Sequence, residues 1–258
     1  MSTHFAAPDS GQPARTADHT AYLGSIRDDA DLMSAVVRTG SLDTPVAACP
    51  GWDVRKVVEH TGFIHRWATH AIRTRSAPGR GDVTPAGEDD DLAVWIVDGA
   101  ASLIDALGAV DPDADTWHPF PFEQKTWVWG RRQAIETTLH RWDVQSACGV
   151  EATIDAGLAS RGIHEFFELG MPRILQKAET GPPSASLHVH CTDVDGEWLV
   201  WSDDEQYRML PVHDKGNAAM RGPAQDLLLV LMGRLDRAEI DIVGDAEAAD
   251  SWLDVGTW

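Results

Sequence analysis

Four stretches in the first 150 residues repeat apolar side chains at helical spacing, and this repetition commits the N-terminal half of the chain to packed helices. Leu23, Ile26, Ala30, Met33 and Val37 recur every three or four positions and stop at Gly40, which predicts a first helix over 21–39. A Pro50-Gly51-Trp52 turn leads to Asp53, a good N-cap, and Val54, Val57, Val58, Thr61 and Ile64 then share one face of a second helix reaching about Arg75. Leu92, Trp95, Ile96, Leu103 and Leu107 mark a third, and a fourth runs from Arg131 to about Cys148, with Gly149 as its stop. Four helices with long crossovers predict a bundle. One crossover, SAPGRGDVTPAGEDDD, reads as a solvated acidic connector; the other carries Trp117, Phe120, Phe122, Trp127 and Trp129, which core packing accounts for as well as a cleft wall does.

After Val150 the pattern changes. A helix is expected near 155–177, followed by a break at Gly181-Pro182-Pro183. Leu187, Val189 and Cys191 then alternate with His188, His190 and Thr192, and Asp195-Gly196 turns the chain back into Trp198 and Val200, the signature of a β-hairpin. Pro223 opens another helix through LLLVLM, EIDIVG reads as a strand, and DAEAADSWLD reads as a short final helix. The expected class is α+β, divided into a flexible tail over 1–19, a helical bundle over 20–150 and a small α+β domain over 151–258.

Charge excludes some partners. With 41 acidic and 21 basic residues the formal charge is −20, which repels phosphate backbones and anionic membrane surfaces, so neither nucleic acid nor a membrane is expected as a partner. Cys49, Cys148 and Cys191 are too few and too widely spaced for a disulfide framework or a C-x-x-C zinc site. Residues 1–19 contain no apolar run like a signal peptide, and the expected setting is the cytoplasm, as a monomer.

The chemistry-bearing residues lie on the second and fourth helices. Glu136 and His140 are four apart, so their side chains emerge one turn apart on one side of the fourth helix, the spacing of two ligands of one metal and equally of a solvated pair. His60 sits on the second helix, and bundles build metal sites from facing helices. Two imidazoles and one carboxylate form the ligand set of catalytic zinc, which leaves a coordination position open. Arg132 and Asp143 flank the pair by one turn, either as groups that orient the ligands or as ordinary helix ion pairs. His65, His70, His188 and His190 read as structural or surface histidines.

The segment Pro50-Gly51-Trp52-Asp53-Val54 with His60, and Arg132-x-x-x-Glu136-x-x-x-His140-Arg141-Trp142-Asp143, resembles the signatures of the mycothiol-dependent maleylpyruvate isomerase family. The resemblance runs from about Asp18 to the C-terminus. It implies a DinB-like four-helix bundle followed by a small sterol-carrier-like α+β domain, recognisable in GPAQDLLLVLMGR. It also implies zinc or a similar divalent metal on His60, Glu136 and His140, mycothiol as the thiol cosubstrate, and an arginine of the C-terminal domain at that thiol: Arg234 first, Arg221 second.

The implied activity is addition of the thiolate to an electrophilic small molecule, as in cis–trans isomerisation of the maleylpyruvate type. Mycothiol S-transfer, by conjugation or thiol exchange, is the alternative within the family. A metal-dependent hydrolase and a non-catalytic thiol-binding protein are the rivals outside it. The chain lacks the H-E-x-x-H whose glutamate would be a hydrolase's base.

Overall fold

The computed structural model describes residues 12–87, 91–178 and 181–256. The chain divides after Thr153 into two units, a few residues later than the sequence boundary at Val150.

The first unit holds α1 (Gln12–Thr39), α2 (Val54–Thr74), α3 (Leu92–Gly108) and α4 (Thr126–Ala147). Each of α1 and α2 packs against both α3 and α4, so α2 and α4 are neighbours in the bundle. Ile26, Met33, Val57, Val58, Ile72, Ile96, Leu103, Leu107 and Ile135 fill its core, each with 2% exposure or less. The expected tail needs correction: α1 begins at Gln12, so residues 12–19 are helical, while residues 1–11 lie outside the described residues. Likewise α4 begins at Thr126, five residues before the expected start, because the preceding loop docks onto its first turn through Thr126 N–H to Ala114 O at 3.0 Å.

Helix caps follow the local chemistry. The Asp53 carboxylate accepts from Lys56 N at 2.9 Å and starts α2. Asp91 accepts from Ala93 N and Val94 N and starts α3. The helices α2 and α3 approach so closely that a Cβ on Gly62 would lie 2.3 Å from Trp95 Nε1, and the Arg66 guanidinium covers the same indole at 3.4 Å. Of the aromatics in the crossover from α3 to α4, Trp129 in the first turn of α4 is core: it is fully buried, donates from Nε1 to Trp117 O at 2.9 Å, and packs with Trp67 and Phe120, while Trp117, Phe120, Phe122 and Trp127 stay partly exposed.

In the second unit, α5 (Ala156–Glu165) passes through a π-turn at Phe166–Gly170 into α6 (Met171–Ala178). A five-stranded sheet follows, β1 (Leu187–Cys191), β2 (Glu197–Asp203), β3 (Gln206–Leu210), β4 (Ala218–Gly222) and β5 (Asp241–Gly244), in the spatial order β3-β2-β1-β4-β5. All pairings are antiparallel except β1 with β4. The helices α7 (Ala224–Leu231) and α8 (Ala246–Leu253) complete the unit and pack on the sheet. Leu187, Val189, Trp198, Val200 and Met220 form the buried face, all at 0% exposure. The fold is α+β, as expected, with a helical unit followed by a sheet-containing one. No helix among the described residues is long and apolar enough to cross a membrane.

Candidate metal centre

The loop ahead of α2 is shaped by a four-residue turn. Trp52 N–H donates to Cys49 O at 2.9 Å, Pro50 occupies the second position, and Gly51 has φ 80°, the left-handed value a type II turn requires at its third. This turn sets the Trp52 ring 5.0 Å from the His60 imidazole and brings the Cys49 thiol to Asp143 Oδ2 at 3.7 Å.

Because α2 and α4 are neighbours, one donor atom each of His60, Glu136 and His140 comes within 4.8 Å of the others. His60 Nε2 donates to Glu136 Oε1 at 3.1 Å, and the two imidazoles stand edge to face at 5.3 Å. Arg132 pairs with the other carboxylate oxygen, Oε2, at 3.2 Å. Burial alone would raise the Glu136 pKa; Arg132, the His60 hydrogen bond and the charge of both imidazoles outweigh it and hold the carboxyl at about 2. The group is therefore a carboxylate at any physiological pH.

His140 is held from behind. The Asp143 carboxylate, whose side chain is fully buried, accepts from His140 Nδ1 at 3.0 Å and fixes the ring's tautomer and orientation. Cys49 shares Asp143 and, with His140, forms an overlapping group of convergent donors. Sequence reading passed over Cys49 because it looked for cysteine pairs; its place immediately before Pro50-Gly51-Trp52-Asp53 was the available signal.

Two other polar residues inside the bundle have structural work. His65 is fully buried and its Nε2 lies 2.8 Å from Thr137 Oγ1, whose own proton goes to Gln133 O at 2.7 Å, so the imidazole donates from this nitrogen. Desolvation lowers its pKa to about 3. Arg141, within the motif on α4, is also buried: it donates to Asp29 of α1 at 2.9 Å, to Gln145 at 2.8 Å and to Thr153 O at 2.7 Å.

The donor set fits a divalent cation: two imidazoles, one of them oriented by the Asp143 carboxylate, one carboxylate with its second oxygen held by Arg132, and partial exposure of each ligand. The arginines expected at the thiol belong to the second unit. Arg234, half-buried, donates from Nη1 to Met232 O at 3.0 Å, and Arg221 is exposed on β4.

Sequence profiles for the mycothiol maleylpyruvate isomerase N-terminal domain and the C-terminal domain of the same family match residues 23–145 and 163–251. The chain belongs to this family. Two solved structures share the family fold. The crystal structure of the mycothiol-dependent maleylpyruvate isomerase has 11% identity and a TM-score of 0.58, covering 88% of this chain and 94% of that one. A histidine-to-alanine mutant of that isomerase gives 12% identity and a TM-score of 0.56 over the same shares. At such identity the likeness is one of fold. No curated protein matches the chain in sequence.

Proposed function

We propose that this family member is an enzyme of the mycothiol-dependent maleylpyruvate isomerase type, with zinc or a neighbouring divalent ion held by His60, Glu136 and His140. The observation that carries the reading is the convergence of these three donors, with Asp143 behind one and Arg132 on another. A divalent ion there supplies one function: it converts a thiol, mostly protonated at neutral pH with a pKa of about 8.5, into thiolate.

The protein's own groups do the rest. Glu136 stays ionised and supplies negative charge without competing for a proton. Asp143 keeps the His140 ring in one orientation, and the Trp52 ring packs beside the His60 imidazole. Arg234, with Arg221 as second choice, is assigned to the polar part of the thiol cofactor.

In isomerisation, the thiolate sulfur bonds to one carbon of an electron-poor cis double bond, and the displaced electron pair moves onto the conjugated carbonyl. Rotation about the new single bond follows. The pair then returns, the carbon–sulfur bond breaks, and the trans product leaves with the thiolate restored. S-transfer differs only after addition, when the adduct persists or a leaving group departs.

The test is calorimetry of mycothiol binding to metal-loaded and chelator-stripped protein, with conversion of maleylpyruvate followed in parallel. Thiol binding that needs the metal, and turnover that needs the thiol without consuming it, are expected. Consumption of thiol with accumulating adduct would move the assignment to S-transfer; turnover without thiol would overturn it.

A further inference from the structure

The sheet of the second unit gathers a second set of donors. His188 and His190 are two apart on β1 and so share a face, the one opposite Leu187 and Val189. Glu197 of β2 is the register partner of His190, and His213 reaches the same place from the connection between β3 and β4. One donor atom of each of the four residues lies within 4.8 Å of the others.

A single carboxylate sits among all three rings and bonds closely to two of them. Glu197 Oε1 lies 2.6 Å from His190 Nδ1, and Oε2 lies 2.5 Å from His213 Nδ1. His188 Nε2 is left over: it faces Oε2 at 3.6 Å, beyond hydrogen-bond reach, and is buried with no hydrogen-bond partner, on a residue only 8% exposed. A buried imidazole nitrogen held only at 3.6 Å from a carboxylate that two other imidazoles already occupy is poorly satisfied in a set built only for hydrogen bonding. A cation at the centre would give all four groups a partner.

From this geometry we infer that His188, His190, Glu197 and His213 form a second metal site, for a zinc-like divalent transition ion, separate from the centre on α2 and α4. Imidazole with carboxylate suits zinc, copper and nickel over magnesium or calcium. Four protein donors make a closed tetrahedral set, the mark of a structural ion more than a catalytic one. Metal–ligand bonds of about 2.1 Å put tetrahedral donors about 3.4 Å apart, so the short contacts of Glu197 with His190 and His213 must open slightly and any wider pair must close. His213, whose side chain is 79% exposed on its loop, can supply that movement.

A surface cleft of 670 Å³ gives the ion its way in. His190, Glu197 and His213 line it, together with Asp193 and Asp195 of the β1–β2 turn, whose carboxylates favour a cation. Arg221 neighbours His190 on β4, and Asp241 of β5 is its register partner on the far side, placing an opposite charge beside it. Bound there, the ion would fasten the β3–β4 connection to the sheet.

The experiment titrates Co2+, read by its visible absorption, into full-length protein stripped of metal. Wild type is expected to take up two equivalents, the His60→Ala/His140→Ala variant one, and the fourfold variant with His190→Ala and His213→Ala none at micromolar concentration. His213→Ala alone, an exposed change that leaves the fold intact, should weaken the remaining site by more than the about 10- to 100-fold typical of losing an outer-shell partner. Co2+ should also raise the Tm of the His60→Ala/His140→Ala variant. No micromolar uptake by that variant, or uptake that survives loss of His190 and His213, would overturn the site.

Discussion

Asp143 sits one turn beyond His140 on α4 and accepts its Nδ1–H at 3.0 Å from a fully buried position, leaving the opposite ring nitrogen without that proton. The pair turns a helical histidine into an oriented donor, and the same carboxylate also receives the Cys49 thiol.

Asp143→Asn keeps the size but offers an amide that can donate as well as accept, so the His140 tautomer is no longer fixed. Metal affinity at the bundle site is expected to fall about 10- to 100-fold. Competition with a chelator of known strength measures it, on a chain carrying His190→Ala and His213→Ala to silence the sheet cluster. Unchanged affinity would make the pair a plain helix contact.

How much of this was legible in the sequence depends on whether a residue's partner is local. The caps at Asp53 and Asp91, the Gly51 turn and the spacing of Glu136 and His140 act within a few residues, and each could be read directly. By contrast, α4 buries Arg131, Gln133, Thr137, Arg141, Asp143 and Gln145. Thr137 meets His65 of α2 and Arg141 meets Asp29 of α1, distant partners that the sequence does not announce, so an apolar stripe understates how enclosed α4 is. The hairpin of β2 and β3 was missed because its two-residue turn uses Asp204 and Glu205 at φ 49° and 62°, where Asn-Gly is the usual signal. β4 was missed because Ala218, Ala219 and Gly222 carry no β-branched pattern. The histidines of β1 read as structural or surface groups, since nothing local announces that His213 returns to them.

Acid sensitivity follows from His65. Its folded pKa of about 3 lies below the 6.5 of an exposed imidazole, so between these values the unfolded chain binds a proton that the folded chain does not. Stability is therefore flat above about pH 6.5 and falls as pH drops towards 3, by about 1.4 kcal/mol per unit from this group. Urea denaturation of metal-free protein should show about 2 kcal/mol lost between pH 7 and pH 5. His65→Gln, which can still donate to Thr137, should remove most of that loss; an unchanged slope would contradict it.

The contact of α2 with α3 leaves no room for a methyl group at Gly62, with Trp95 Nε1 2.3 Å from where it would sit. Gly62→Ala should destabilise the protein by about 1–3 kcal/mol despite the better helix propensity of alanine. Combining it with Trp95→Val should recover part of the loss in the same denaturation experiment. Additive losses would mean that the crowding lies elsewhere.

Arg141 is predicted to act through stability and not through the metal. Its guanidinium compensates Asp29, whose pKa burial pushes up while Arg141 and Thr138 pull it down. Arg141→Met leaves that carboxyl without a counter-charge, on the Thr138 hydroxyl alone, and should cost about 3–5 kcal/mol, and Asp29→Asn in the same chain should restore part of it. Equilibrium unfolding of the single and double variants decides this.

The central claim is a divalent metal on His60, Glu136 and His140, and metal content tests it most directly. Zinc would be counted in protein purified without chelator, on the His190→Ala/His213→Ala background, with and without His60→Ala or His140→Ala. The account predicts one zinc per chain in the background protein and almost none once either histidine is replaced. A background protein that carries no metal, or one that keeps its metal without His60 and His140, would contradict it.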